Sequence, residues 1–328
     1  MTGFSIGTRG SDLARTQTGH VAVALTEAGA GEADTQIVRT EGDVVTGPLA
    51  SLGGTGVFAA ALRQKVLDGG VQVAVHSLKD LPVAQPEGLV IAAVPERADV
   101  RDVLVARDGL TLDTLPTAAH VGTGSPRRAA QLKAARPDLV IHGVRGNVPT
   151  RLRRVKGMSV EHPDLGSVGR ENEGDLDAVV LAGSGLDRLG LGHLATERID
   201  PHVMLPAPGQ GALAVEVSAR TAAEDSALRN ALTVVEHTPT RLAVTAERAL
   251  LATLEGGCAA PVGALGVLGR NGTLKLDAAV VSPAGSRALR RHTAGEVRNE
   301  GQAARLGETL AQELLAAGAA DLMGTTDA

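Results

Sequence analysis

Cys258 is the only cysteine among the 328 residues, and it follows two glycines in the segment Leu254 to Pro261. A disulfide within the chain is therefore impossible. The thiol could be a buried inert side chain, a catalytic nucleophile or the attachment point of a covalently bound group. Two glycines allow a tight turn that holds the sulfur clear of the preceding helix. Since a lone cysteine is most often a small core residue, other residues must decide between these readings.

Arginine dominates the basic residues, with 27 Arg against 5 Lys. The guanidinium group binds carboxylates through a fixed fork of donors that lysine lacks. Taken singly, each arginine is most often a solvated surface charge. Six of them, however, follow predicted strand-to-helix junctions, and this shared position predicts a single carboxylate-binding cleft. They are Arg9, Arg127, Arg128, Arg145, Arg151 and Arg188.

The segment Gly122 to Arg128 is a strong predicted anion site. Ser125 can cap a helix whose first residue is Pro126. A helix N-terminus with free backbone N–H groups, next to Arg127 and Arg128, favours a bound anion.

Asp80 follows a predicted buried strand in the segment Ser77 to Pro82. A carboxylate in this position can act as a general acid or base, or stabilise a developing cation. An ordinary turn or capping aspartate is the alternative. Lys79 can lie beside Asp80 and keep it ionised. We expect the nearby His76 to be a buried histidine with its polar atoms satisfied.

Several function classes are disfavoured by composition. Two Phe and no Trp or Tyr leave no platform for stacking single-stranded nucleic acid, and a net charge of −5 disfavours wholesale binding of phosphates. The histidines lack metal-ligand spacing, and dinucleotide-binding, P-loop and nucleophile-elbow motifs are absent. No apolar run reaches the ~18 residues that span a bilayer, and the N-terminal residues lack a signal layout. We therefore expect a cytoplasmic protein that binds neither nucleic acid nor membrane.

The apolar pattern predicts α/β domains with mostly parallel sheets. Continuous β-branched runs at Val71–Val75, Leu139–Val144 and Asp177–Ala182 are typical of strands buried on both faces. In such sheets ligands bind beyond the carboxyl ends of the strands. Helices are expected at Asp12–Leu25, capped by Ser11, and at Val57–Leu67.

The C-terminal part has a different pattern. A helix is expected at Thr240–Leu254, immediately before the cysteine segment, then a strand at Leu274–Val281 and a helix over residues 302–315. This predicts a smaller α+β domain. Residues 158–174 show no periodicity and predict an exposed loop insertion, which we expect to extend into solvent.

Several segments together resemble the porphobilinogen deaminase family, also called hydroxymethylbilane synthase. They occur in family order from residue 6 to about residue 265. The segments are Ile6–Ser11, Val75–Pro82, Val121–Arg128, Arg145–Val148, Gly185–Gly190, Leu205–Gly211, Ala246–Leu250 and Glu255–Pro261.

The resemblance implies an enzyme, a transferase of tetrapyrrole (heme) biosynthesis. Such an enzyme joins four porphobilinogen molecules head to tail with loss of ammonia, and water then releases hydroxymethylbilane. The chain grows on a dipyrromethane cofactor bound through a thioether to the family cysteine, which is Cys258 here. That role would make the thiol an anchor.

The resemblance also implies residue roles. Asp80 is the expected catalytic residue, assisting loss of the amino group and stabilising the cationic azafulvene. The expected cofactor-binding residues are Cys258, Lys79, Ser77, Ser125, Arg127, Arg128 and Asp80. The expected substrate-binding residues are Arg9, Ser11, Gln17, Arg145, Arg151, Arg188 and Phe58.

Three domains are implied, and the first two resemble the lobes of periplasmic binding proteins. We expect residues 1–97 and 202–218 in the first domain, 98–201 in the second and 219–328, with the cysteine, in the third. The family leads us to expect a monomer. Some relatives carry two lysines where this chain has Ser51 and Thr55, so a role of those lysines does not transfer.

Two alternatives remain at this point. A non-catalytic two-lobed binding protein for a small carboxylate would explain the sheets and the arginines. It would leave Asp80 and the Gly-Gly-Cys turn without a purpose, and it would be expected to carry an export signal. A catalytically inactive relative is the other alternative, although Asp80, Cys258 and the six arginines are all present.

Overall fold

The computed structural model describes residues 3–38, 56–168, 174–224, 226–255 and 260–324. Ser51, Thr55 and Cys258 lie outside the described residues, as does the side chain of Phe58. The described ranges form two five-stranded mixed sheets, a two-stranded sheet and a three-stranded antiparallel sheet, with helices packed around them. The predicted fold class, two α/β domains plus a smaller C-terminal α+β domain, is confirmed.

The first part of the chain alternates strands and helices. Its elements are β1 (Phe4–Thr8), α1 (Asp12–Leu25), β2 (Ala33–Ile37), α2 (Gly56–Leu67), β3 (Val73–Ser77) and β4 (Leu89–Ala93). Both helices predicted here are confirmed, and the Ser11 hydroxyl caps α1 by accepting from the Ala14 N–H at 3.4 Å. The strand expected at Val71 begins at Val73.

The middle of the chain builds the second sheet. Its elements are β5 (Asp102–Ala106), β6 (His120–Gly122), α3 (Pro126–Ala135), β7 (Val140–His142), α4 (Val148–Leu152), β8 (Val160–His162), β9 (Gly166–Val168), β10 (Ala178–Ala182), α5 (Gly183–Arg188) and β11 (Glu197–Arg198). The predicted cap of α3 is confirmed, because the Ser125 hydroxyl accepts from the Arg128 N–H and Pro126 is the first helical residue.

The chain then returns to the first sheet and finishes in the third. The elements are β12 (Leu213–Ser218), α6 (Ala219–Ala223), α7 (Ala227–Val235), α8 (Thr238–Thr253), β13 (Val262–Leu268), β14 (Thr273–Val281), β15 (Ala288–Glu296), α9 (Glu300–Ala316) and α10 (Ala319–Gly324). The expected helices and strand of the C-terminal part are confirmed, with shifts of one or two residues at their ends.

Each large sheet contains one reversed strand. The first sheet has the order β2-β1-β3-β12-β4, in which β12 is antiparallel to both neighbours. The second has the order β11-β5-β10-β6-β7, in which β5 is antiparallel to both neighbours. These are the strands that follow the two crossings between the sheets. The other strands of each sheet share one direction, so their carboxyl ends lie along one edge.

The expectation of a loop over residues 158–174 is wrong for most of that range. β8 and β9 form an antiparallel hairpin, closed by the segment from His162 to Gly166. Val168 is fully buried, and Met158, Val160 and Leu165 pack against the core of the second sheet. These apolar side chains explain why the segment lies on the protein and does not extend into solvent. Residues 169–173 lie outside the described residues.

Helix α7 packs on the first sheet. Its buried residues Leu228, Ala231 and Leu232 share a core with β1, β3 and β12. The core of the third sheet instead gathers residues of α8, α9, α10 and the strands β13 and β14. The sequence pattern did not predict which sheet each helix packs on, because an amphipathic pattern shows that one face is buried without specifying its partner.

Candidate functional site

The turn that carries Lys79 and Asp80 continues directly from the central strand β3. Residues Leu78–Asp80 form a single 3₁₀ turn after Ser77. Leu78 is 1% exposed and anchors this turn in the core. Its N–H donates to the carbonyl of Ala212 at 3.0 Å. The neighbouring Lys79 is half-buried and Asp80 is exposed, so the turn presents a carboxylate at the carboxyl edge of the sheet.

Gln17 and Ser77 are bonded to each other behind this turn. The Gln17 side-chain amide donates to the Ser77 hydroxyl at 2.9 Å, and the Ser77 oxygen lies 3.1 Å from the Gln17 carbonyl oxygen. Gln17 is buried on α1. The pair therefore fixes α1 against the end of β3. His76, one residue earlier, is buried as expected, and its Nε2 lies 3.3 Å from a carboxylate oxygen of Glu216. Since Nε2 makes no hydrogen bond among the described residues, the expectation that its polar atoms are satisfied is not confirmed.

A glycine-containing segment packs against the same turn. Gly209 has a φ of +76°, and a Cβ there would lie 3.3 Å from the backbone nitrogen of Lys79 and 3.2 Å from Leu78 Cγ. Gly211 has a φ of +86°, and a Cβ there would lie 2.7 Å from the Ala98 carbonyl oxygen. The backbone conformation and this close approach explain why the sequence has Gly-Gln-Gly here.

Arg127 and Arg128 share the buried carboxylate of Asp102. Arg127 donates to Asp102 Oδ2 at 2.8 Å and also to the Leu205 carbonyl. Arg128 Nε donates to Asp102 Oδ1 at 2.9 Å, and its Nη1 donates to the Val180 carbonyl at 3.2 Å. Burial alone would raise the pKa of Asp102, but the two guanidinium groups outweigh it and hold that pKa well below its usual range. A single buried carboxylate thus positions both arginines.

Gln210 connects this ion cluster to Lys79. Its side-chain amide donates to Asp102 Oδ1 at 2.9 Å and to the Val100 carbonyl at 2.8 Å. Its carbonyl oxygen accepts from the Lys79 ammonium at 3.3 Å. Because Gln210 is fully buried, these bonds form a polar path from the first sheet to α3 that is shielded from water.

The other predicted arginines lie on the second sheet's side, apart from Arg9. Arg145 is exposed after β7. Arg151 is half-buried, and its Nε donates to the Gly146 carbonyl at 2.8 Å. Arg188, at the end of α5, donates to the Gly211 carbonyl at 2.8 Å, which ties α5 to the return crossing. Arg9 is half-buried at the carboxyl end of β1.

Electrostatic effects between the two sheets agree with the bonded path through Gln210, which joins them at one cleft. Burial and the neighbouring Arg128 lower the pKa of Lys79 to about 8, against the opposing effect of Asp80. Burial, Arg128 and Arg145 likewise lower the pKa of Arg151, again against Asp80. Lys79 and Asp80 belong to the first sheet and the arginines to the second. These groups must therefore be close enough to influence each other across the cleft.

The structure thus brings Lys79, Asp80, Arg128, Arg145 and Arg151 together. Ser125, which caps α3, follows the carboxyl end of β6 in the second sheet. Ser11, which caps α1, follows the carboxyl end of β1 in the first sheet. Cys258 and the Phe58 side chain lie outside the described residues. With several cations around Asp80, the cleft can bind a molecule carrying several carboxylates and can stabilise a positive centre next to Asp80.

Sequence reasoning missed two residues that organise the cleft. Asp102 begins the otherwise apolar run Asp102–Ala106, and an acid in such a run signals a buried charge pair. Gln210 lies within the Leu205–Gly211 motif, but the motif alone does not indicate that its amide faces Lys79. The bonds of Gln210 to Lys79 and to Asp102 join residues that are far apart in sequence.

Comparison with known proteins decides the family. A family model described as "Porphobilinogen deaminase, dipyromethane cofactor binding domain" matches residues 4–226. The chain belongs to the porphobilinogen deaminase family. A second model, "Porphobilinogen deaminase, C-terminal domain", matches residues 241–316 and thus spans the position of Cys258.

Named relatives agree with the family models. Porphobilinogen deaminase of Micrococcus luteus is 58% identical over 89% of this chain and 81% of its own length. That of Cutibacterium acnes is 52% identical over 98% of this chain and 97% of its own. The expectation of a porphobilinogen deaminase, a transferase of tetrapyrrole biosynthesis with a dipyrromethane cofactor, is confirmed. None of the helices in the described ranges is long and apolar enough to cross a bilayer.

Solved structures that resemble the chain include binding proteins. The methionine-binding protein MetQ matches with a TM-score of 0.40 and 7% identity, covering 71% of this chain and 89% of its own. The Bordetella pertussis solute receptor DctP7, which binds pyroglutamic acid, has a TM-score of 0.38 and 12% identity, covering 72% and 77%. The likeness is distant.

Proposed function

We propose that this chain joins four porphobilinogen molecules head to tail, with loss of ammonia at each addition, and then releases hydroxymethylbilane by hydrolysis. The observation that carries the proposal is the bonded path from Lys79 through Gln210 to Asp102, which links the Lys79–Asp80 turn of the first sheet to Arg127 and Arg128 of the second. The substrate has acetate and propionate side chains and an aminomethyl group. The guanidinium groups of the cleft match the negative carboxylates of the substrate, and the exposed carboxylate of Asp80 matches its positive aminomethyl group.

The donor set of the cleft fits a dipyrromethane cofactor. The lowered pKa values of Lys79 and Arg151 reflect burial of cations near one another, which a group rich in carboxylates would compensate. In addition, Arg127 Nε is a buried donor with no hydrogen-bond partner among the described residues. When bound, the cofactor supplies the pyrrole carbon onto which the first substrate is joined. We assign its thioether attachment to Cys258 and its carboxylates to Lys79, Ser77, Ser125, Arg127 and Arg128.

Asp80 is the proposed catalytic residue. As the substrate's carbon–nitrogen bond breaks and ammonia leaves, positive charge develops on the pyrrole ring. An exposed carboxylate beside the ring can accept a hydrogen bond from the pyrrole N–H and stabilise that charge. It can also hold or receive the proton that is lost from the pyrrole carbon when the new carbon–carbon bond has formed.

Substrate carboxylates are the proposed ligands of the remaining arginines. Arg145 is exposed, and Arg151 and Arg188 are half-buried with an observed bond each to a backbone carbonyl. A guanidinium held by one backbone bond keeps other N–H groups for a ligand. Arg9, Ser11, Gln17 and Phe58 complete the proposed substrate set on the first sheet's side.

Three domains are proposed, and the sheets support this division. Residues 1–97 and 202–218 contain the first sheet, and 98–201 contain the second. We place α7 with the first domain because of its shared core, so that the third domain begins with α8 and not at residue 219. The proposed state is a cytoplasmic monomer that binds neither nucleic acid nor membrane. The lone cysteine suits a reducing compartment.

A stoichiometric assay tests the proposed function. Purified protein is incubated with porphobilinogen, and ammonia and linear tetrapyrrole are quantified together. The proposal predicts four ammonia molecules for each hydroxymethylbilane released. Binding of porphobilinogen without release of ammonia would contradict it, and would favour the reading as a carboxylate-binding protein.

A further inference from the structure

Arg248 of helix α8 reaches the backbone of the Asp80 turn. Its Nη1 donates to the Leu81 carbonyl at 3.1 Å and lies 3.5 Å from the Leu78 carbonyl oxygen. Its Nη2 donates to the Pro82 carbonyl at 2.7 Å and lies 3.4 Å from that of Val83. One side chain of the third domain therefore binds the carbonyls on both sides of Lys79 and Asp80.

Apart from the bond from the Leu78 N–H to the Ala212 carbonyl at 3.0 Å, the turn makes few backbone hydrogen bonds within the described residues. Within it, the Leu81 N–H donates to the Leu78 carbonyl at 3.1 Å, and Pro82 has no N–H to donate. The carbonyls from Leu81 to Val83 must therefore find donors outside regular secondary structure. Arginine suits this task, because its planar fork presents five N–H donors in fixed directions.

The preceding residue of α8 holds the helix through a different set of partners. Glu247 is fully buried and binds Arg97 with both oxygens, at 2.6 and 3.0 Å. It also accepts from the backbone N–H groups of Gly209 at 2.6 Å and Gly266 at 2.8 Å. Helix α8 is thereby held to both crossings and to the third sheet. Because α8 is held in this way, a side chain that projects from it can fix the position of a neighbouring segment.

Helix α8 also leads to the cysteine. It ends at Thr253 with Leu254 as its cap residue, shortly before Cys258. We propose that Arg248 is a positioning residue, which holds the Lys79–Asp80 turn in a fixed place against α8, the helix that precedes the proposed cofactor attachment point in the chain. This inference rests on the proposed roles of Asp80 and Cys258. The proposed action of Arg248 is through the backbone carbonyls of the turn.

The test compares Arg248→Met with a matched variant of the same helix. Arg241 is also half-buried on α8, but it binds Glu236 at 2.9 and 2.8 Å. Arg241→Met therefore removes an arginine without touching the turn. We expect Arg248→Met to lower kcat by about tenfold or more while KM changes little, since misplaced catalytic groups chiefly affect turnover. We expect Arg241→Met to retain near-normal kcat.

Hydrogen exchange gives a readout that does not require turnover. Amides of residues 78–81, 83 and 84 should exchange faster in Arg248→Met than in the wild type or in Arg241→Met. If Arg248→Met does not fold, Arg248→Lys is used, which keeps the charge but has a single compact donor group. Unchanged exchange in the turn, or equal kcat in the two methionine variants, would overturn the proposal. A wild-type protein that releases no ammonia would instead refute the proposed function, while the exchange result would still judge the role of Arg248 in the turn.

Discussion

The ammonium group of Lys79 donates to Oε1 of Gln210 over 3.3 Å, although 131 positions separate the two residues. The amide nitrogen of the same glutamine side chain donates to Asp102, which holds Arg127 and Arg128. The cations on the two sides of the cleft are therefore connected beneath its surface. A buried neutral amide serves this purpose well, since it can donate to a carboxylate and accept from an ammonium at once.

Gln210→Met should lower both stability and turnover. The substitution removes a buried hydrogen-bond partner from both Lys79 and Asp102, at a cost of about 2 kcal/mol in the free energy of unfolding. Gln131→Met is the matched control. Gln131 is also buried and makes two bonds to the Leu205 backbone, at 3.0 and 2.9 Å, but these bonds do not involve Lys79. Urea denaturation should show similar losses for both variants, whereas only Gln210→Met should lower kcat. Equal kcat in the two would refute the link to Lys79.

Asp102→Asn should be strongly destabilising, by about 3–5 kcal/mol, because two buried guanidinium groups lose their shared carboxylate. Asp99→Asn is the control, since Asp99 also pairs with two arginines, Arg101 and Arg198, but in a partly exposed position. We expect it to cost less than about 1 kcal/mol. Chemical denaturation of both variants measures the difference, and equal losses would contradict the assignment of Asp102 as the shared buried counter-ion.

The contribution of Asp102 to the free energy of unfolding depends on pH in a defined way. The pKa of Asp102 is lowered in the folded state, so its stabilising effect is present above the pKa of the unfolded chain, about 3.9. It is lost as the pH falls through the folded-state pKa. The gap in unfolding free energy between wild type and Asp102→Asn should therefore be constant at neutral pH and narrow only in strong acid. A gap that closes already near neutral pH would contradict the lowered pKa.

Lys79 should make stability depend on pH in the alkaline range. Its pKa falls from the ordinary lysine value of 10.5 to about 8 in the folded state, so the folded protein binds fewer protons between these values than the unfolded chain. Stability attributable to Lys79 must then rise with pH from about 8 to about 10.5. Measured in a Cys258→Ala background, the unfolding free energy of the parent relative to Lys79→Met should increase across this window and be flat below it. A flat difference throughout would show that Lys79 is not desolvated.

Asp80→Asn should slow turnover more than tenfold, which is about 1.4 kcal/mol of barrier, because the amide can neither carry negative charge nor accept a proton. Asp108→Asn is the control, since Asp108 is likewise an exposed aspartate in a 3₁₀ turn after a strand. Steady-state kinetics on the two proteins should separate them. A smaller loss in Asp80→Asn, or an equal loss in Asp108→Asn, would remove Asp80 from the catalytic step.

Local chemistry made several elements predictable from the sequence. The caps of α1 and α3 follow from Ser11 and Ser125 and the residues next to them, since capping involves neighbours in the chain. The Asp80 turn was recognisable because its charged residues directly follow a buried apolar strand. The arginines were recognisable by their shared place after strands.

Features that depend on distant partners were not predictable. The reversed directions of β5 and β12 leave no mark on their own residues, because a strand buried on both faces has the same apolar run in either direction. The β8–β9 hairpin has short strands of three residues without clear alternation. Arg248 lies in a recognised motif, yet its partners are carbonyls some 165–170 positions away, which no local pattern reveals.

Intact mass under denaturing conditions tests the central claim most directly. We expect the purified wild type to exceed the mass of the bare chain by two linked porphobilinogen units, and Cys258→Ala to have the bare mass. An Asp80→Asn protein should keep the added mass, since the anchor is separate from the catalytic carboxylate. A wild type that retains the bare mass after incubation with porphobilinogen or hydroxymethylbilane, or an added mass that persists in Cys258→Ala, would contradict the assignment of Cys258 as the covalent anchor.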